Sequence, residues 1–199
     1  MSFHIFSADR RTKRHLLWLD WLREAASIRE RFLALGEDDD PFSYNEAASV
    51  SVLCSAAFMA GGLGLAETVS TKLDQSDRRR TYSGRDDLCI CLDDEWWFFE
   101  AKQTFRPIAS VLTSQFDAAM SCARQITSVE RERAAGLLIS YTGDGYITQG
   151  RGPNYTQNVR DFVSSEPGIK LAVGFGGDTV AECRLFLMFS DPVPLRQTR

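Results

Sequence analysis

Asp87, Glu100 and Lys102 have types and spacing that suit chemistry, and they share one stretch, GRDDLCICLDDEWWFFEAK, residues 84–102. Two carboxylates brought together suit a hard divalent cation such as Mg²⁺, which takes one or two carboxylates and fills its shell with water and phosphate oxygens. An ammonium beside them would neutralise the pair or hold a nucleophilic water. The same letters also fit a surface hairpin with solvated charges and Lys102 in an ordinary cross-strand ion pair. Strand register separates the two.

A two-residue turn at Asp93-Asp94 sets Leu92 opposite Glu95, and therefore Asp87 opposite Glu100. A four-residue turn from Leu92 to Glu95 gives the same pairing, whereas a three-residue turn sends the carboxylates to opposite faces. In the even register Asp87, Cys89 and Cys91 share a face with Trp96, Phe98, Glu100 and Lys102. Leu88, Ile90, Leu92, Trp97, Phe99 and Ala101 form the other face. Both faces are mostly apolar, as in a strand pair covered on both sides, so the carboxylates end a buried sheet. Directly opposite carboxylates repel, and a cation between them relieves the repulsion.

The elements that must position this hairpin follow from apolar periodicity and turn residues. Leu17, Trp21, Ile28, Phe32 and Leu35 predict a helix over 8–35 that stops at Gly36. A loop over 36–41 precedes a second helix from Ser43 to the Gly61-Gly62 pair. A strand over 65–73 and an Arg-rich connection lead into the hairpin, and a third helix spans 108–126. Strands are expected at 136–141, 170–175 and 182–189, with a weak helix at 158–164 and an irregular tail. Alternating helices and strands make this an α/β protein, a central mixed β-sheet flanked by helices in a single domain, 1–199.

Helix, strand, a strand opening on Asp, a turn, then a hydrophobic strand ending E-x-K resembles the PD-(D/E)XK nuclease superfamily, the restriction-endonuclease-like fold. Asp86-Asp87-Leu88 stands where that family has Pro-Asp-hydrophobic, and Glu100-Ala101-Lys102 stands as its E-x-K. The likeness covers roughly 43–141; the missing proline at 86 departs from the pattern. It implies a nuclease-like core over 43–141, an additional N-terminal helix as an extension over 1–36, and strands within 142–199 that complete the sheet. It implies metal-dependent hydrolysis of phosphodiester bonds in DNA, with Asp87 and Glu100 as ligands of Mg²⁺ or Mn²⁺ and Lys102 orienting the attacking water. Glu46 would add a third metal ligand from the helix before the first strand, although Ser43-Tyr44-Asn45-Glu46 also reads as a capping box. Gln115, near the centre of a stripe formed by Ile108, Leu112, Ala119, Cys122 and Ile126, resembles the active-site glutamine of the RecB-like branch. A core-edge glutamine bonded to a backbone carbonyl fits it equally.

Composition narrows the partners. A net charge of −4 argues against a general nucleic-acid coat, leaving local patches. Arg10, Arg11, Lys13 and Arg14 form one, and Arg78, Arg79 and Arg80, with Arg85, are the candidate phosphate contacts. Five cysteines without a CxxC pair read as reduced thiols. Two histidines, both near the N-terminus, leave little for histidine chemistry, and the glycines of 143–152 lack phosphate-loop spacing. No segment has the length of a membrane span or the form of a signal peptide, so a cytoplasmic location is expected. Trp18 and Trp21 offer a surface for a homodimer or another protein. The second functional class is a nuclease-fold protein that has lost catalysis and serves as a binding or assembly module.

Overall fold

The computed structural model describes residues 3–8, 13–36, 39–77, 79–127, 133–142, 154–176 and 182–194. Its central feature is the hairpin of β3 (Thr81–Leu92) and β4 (Glu95–Thr104). Asp93 and Asp94 both adopt left-handed backbone, φ 51° and 63°, so the turn is the two-residue primed type whose twist matches the strands. Leu92 faces Glu95 and Leu88 faces Phe99, which is the even register. The two apolar faces divide as the alternation requires. Leu88, Ile90, Leu92, Trp97, Phe99 and Ala101 enter the larger core, while Phe98 packs on Ala123, Ile126 and Ala134 on the opposite side.

Around the hairpin the described residues build a nine-stranded mixed sheet. β2 (Leu63–Leu73) pairs antiparallel with β3, and two-residue β5 (Ile126–Thr127) pairs with β2. On the other side β4 runs parallel to β6 (Arg133–Tyr141), followed outward by antiparallel β8 (Leu185–Ser190), β7 (Ile169–Phe175) and β1 (Phe3–Ala8). Short β9 (Val193–Pro194) pairs β6. Helices cover both faces. α1 (Lys13–Leu33) and α2 (Glu46–Met59) lie on the larger core, after a 3₁₀ turn at Pro41–Ser43, and α3 (Ala109–Ala123) and α4 (Tyr155–Ser165) lie on the other face. Gly136, paired with Glu100, lets α3 touch the sheet: a Cβ there would stand 2.8 Å from the Met120 nitrogen.

Several expectations need correction. The N-terminal segment begins with a strand, β1, and its helix is no peripheral extension: Trp18 and Trp21 are fully buried against Phe99 and Phe189. Those rings are therefore closed to a partner. The third helix stops at Ala123, and Ile126 belongs to β5. α4 begins at Tyr155, and the tail carries β9. The five cysteines are outside any disulfide, with Cys89 and Cys183 buried. Among the described residues no helix is long and apolar enough to cross a membrane. Residues 143–153, Arg10, Arg11 and Arg78 lie outside the described residues.

Candidate functional site

The β3–β4 ladder ends at Leu88–Phe99, one pair before Asp87 and Glu100, while β4 stays paired to β6 as far as Thr104–Ser140. On its other side β3 pairs β2 through Ala66–Leu88 and resumes at Thr68–Asp86; between them stands Glu67 at φ 54°. Asp87 thus lies at a break in both ladders. The edge of β4 that β3 leaves must satisfy its N–H groups elsewhere. Ala101 N–H donates to Asp87 Oδ2 at 2.7 Å, and Gln103 N–H donates to Glu46 Oε2 at 3.0 Å. Two carboxylates from two elements have taken the place of a strand.

Glu46 reaches this gap because α2 is capped by its neighbour. Asn45 Oδ1 accepts from Ala48 N–H at 2.9 Å, so Asn45 is the N-cap and Glu46 opens the first turn. The capping-box reading of Ser43 and Glu46 falls, and the Glu46 side chain is free to face β4. Gln103 fixes α2 against the strand: its Oε1 accepts from Ser49 Oγ at 2.8 Å, and its Nε2 donates to Phe42 O at 2.9 Å. Lys102 completes the fork. Its Nζ lies 3.8 Å from Asp87 Oδ2 and 3.8 Å from Glu46 Oε1, and donates to Ala101 O at 2.5 Å.

Glu100 behaves differently. It is 4% exposed, and its Oε1 accepts a short hydrogen bond from Lys72 Nζ, a residue of β2 that sequence reasoning missed. The same ammonium donates to Arg85 O and stands 3.6 Å from Asp86 Oδ1. Asp86 is fully buried; Oδ1 accepts from Ser70 Oγ at 2.6 Å, and Oδ2 has no hydrogen-bond partner among the described residues. The signal for Lys72 was present in the alternation of β2, where Thr68, Ser70 and Lys72 point to one side, with Gly84 in β3 opposite Ser70. A Cβ on Gly84 would come within 2.7 Å of Lys72 Cδ, so the glycine makes room for the lysine stem.

Charge and burial act together on these groups. Burial pushes the Glu100 carboxyl up to about 7, with Lys72 opposing and Asp87 and Asp86 adding to the rise. Burial also raises Asp86, against Ser70 and Lys72, and raises Glu46, against Lys102. Lys72 is held above the usual lysine range: burial works against its charge, but the bond to Glu100 and the nearby carboxylates prevail. Four carboxylates, Glu46, Asp86, Asp87 and Glu100, face two ammonium groups, Lys72 and Lys102.

Oxygen-only donors and an orphaned buried carboxylate oxygen fit Mg²⁺ or Mn²⁺ in kind. Among the described residues, however, no three of His, Cys, Asp or Glu are grouped so as to hold a metal. Asp87, Glu46 and Lys102 converge, and Glu100 stays bound to Lys72. Gln115 is half-buried on α3, and among the described residues no hydrogen bond ties it to the site. The observed stripe is Leu112, Phe116, Ala119 and Ala123, which leaves Gln115 at its edge. Arg79, Arg80 and Arg85 are exposed, and Arg85 Nη1 stands 3.5 Å from Glu67, also exposed. Comparison of the chain with protein-family models, curated proteins and solved structures finds no match, so the geometry carries the functional reading.

Proposed function

We propose that the protein is a divalent-metal-dependent phosphodiesterase of the restriction-endonuclease-like fold that hydrolyses DNA. The observation that carries this reading is the fork: carboxylates from α2 and β3 occupy the free edge of β4, each 3.8 Å from the ammonium of Lys102. Support also comes from the order α2, β2, β3, β4, α3, β5, β6, with β4 and β6 parallel. Asp87 and Glu46 would hold the cation first, and Glu100 would join once released from Lys72. When bound, Mg²⁺ or Mn²⁺ supplies Lewis acidity to the phosphoryl oxygens.

The chain's own residues do the rest. Ala101 N–H and Gln103 N–H fix one oxygen of Asp87 and of Glu46, and the second oxygen of each would be the donor to a cation. Lys102 Nζ, partly exposed beside both, orients the attacking water by hydrogen bonding and balances charge that develops on the phosphate. Arg79, Arg80 and Arg85 supply contacts to the flanking phosphodiesters.

The Lys72–Glu100 pair favours a second reading, a nuclease-fold binding module whose catalytic carboxylate is permanently neutralised. Incubation with labelled single-stranded and duplex DNA, with and without Mg²⁺ or Mn²⁺, distinguishes the two. Metal-dependent cleavage that Lys102→Met abolishes supports the enzyme; absence of cleavage at any metal concentration supports the module.

A further inference from the structure

We propose that Lys72 is a latch on the metal site: its ammonium occupies Glu100 in the metal-free protein, and a divalent cation must displace it to recruit that carboxylate. The inference rests on the metal-site reading above. It gives a role to a lysine that is buried in a strand whose other side chains are mostly exposed or half-buried.

Lys72 is 7% exposed, and its stem crosses Gly84, where any side chain would crowd it. Its Nζ meets Glu100 Oε1, Asp86 Oδ1 and Arg85 O together, so the ammonium already sits as a cation among oxygens. Lys102 serves the other two carboxylates: its Nζ donates to Ala101 O and lies 3.8 Å from both Asp87 Oδ2 and Glu46 Oε1. One lysine therefore guards each part of the carboxylate cluster. The partners Lys72 would keep after leaving Glu100 are at hand: Asp86, whose second oxygen is unpartnered, and Arg85 O. Displacement costs the Glu100 contact and leaves the ammonium solvated by Asp86 and the backbone. Lys72 is thus a positioning residue that sets metal affinity through Glu100.

Calorimetric titration of Mg²⁺ into the metal-free protein and into Lys72→Met tests the latch without reading activity. Removing the competing ammonium is expected to tighten Mg²⁺ binding by about tenfold. In the unaltered protein, the ¹⁵N-ammonium NMR signal of Lys72, slowed in exchange by its buried contacts, is expected to shift or broaden as Mg²⁺ saturates. Equal or weaker affinity in Lys72→Met, or a Lys72 signal unchanged at saturation, overturns the latch while leaving the metal site standing. If neither protein binds Mg²⁺, both the latch and the metal site fall. Should Lys72→Met not fold, the signal in the unaltered protein decides alone.

Discussion

The two sides of the sheet solve opposite problems. In β6, β7 and β8 nearly every side chain is buried on both faces, and the ladders run unbroken between β6 and β8. In β2, β3 and β4 the ladder opens after Leu88–Phe99, and the gap is filled by carboxylates and lysines. One region is stabilised by apolar burial. The other keeps like charges close together, which destabilises a sheet unless something compensates. The contrast teaches that the apolar side supplies the rigidity on which the charged fork depends.

The largest effect should come from the fork. Asp87→Asn keeps an acceptor for Ala101 N–H but removes the charge, so metal-dependent DNA cleavage should fall by roughly 10³-fold, about 4 kcal/mol of barrier. Melting temperature should hold or rise, because one of the repelling carboxylates is gone. A parallel loss of folding in thermal melts would show that Asp87 is structural. On the closed side the expectation inverts. Leu187→Ala, in β8 between Ile139 and Val173, should cost about 3 kcal/mol in urea unfolding and leave the cleavage rate of the folded fraction unchanged.

The pH dependence of stability sharpens the same contrast. Glu100 has its carboxyl raised from 4.5 to about 7 in the folded protein, so the native state binds more protons than the unfolded chain across that window. Stability from this group is present below pH 4.5 and is lost as pH rises through about 7. Glu100→Gln should remove a slope on the order of 1–3 kcal/mol across this range, read from urea midpoints at several pH values. A slope unaltered in Glu100→Gln would place its origin elsewhere. The smallest effect belongs to the turn. Replacing Asp93-Asp94 by Asn-Gly suits two left-handed residues and should stabilise the protein by about 1 kcal/mol without changing cleavage. Destabilisation would mean that the turn, and with it the register that aligns Asp87 with Glu100, is wrong.

The hairpin was legible in the apolar residues that alternate on both strands, whereas the parity of its turn was an assumption that the left-handed Asp93 and Asp94 settle. The observed pairing of Leu92 with Glu95 fixes the register. Lys72 was not legible, because its partner lies two strands away and contact depends on sheet twist and on the space above Gly84. Glu46 was ambiguous because Ser43 and Asn45 compete for one cap, and only the backbone decides between them. Gln115 was placed too centrally because Ile108 and Ile126, used to locate the stripe, flank α3 without belonging to it, and Phe116 occupies the true centre. β1 escaped notice because FHIFSA is short and its pairing partner, β7, lies at the far end of the chain.

The most direct test of the central claim is a crystal of the protein soaked in Mn²⁺, with the ion located by anomalous scattering. The account predicts a peak in the fork between β3 and β4, with Asp87 in its inner shell, Glu100 turned toward it and Lys72 withdrawn. A fork without a peak at saturating Mn²⁺, with Lys72 still on Glu100, would contradict it.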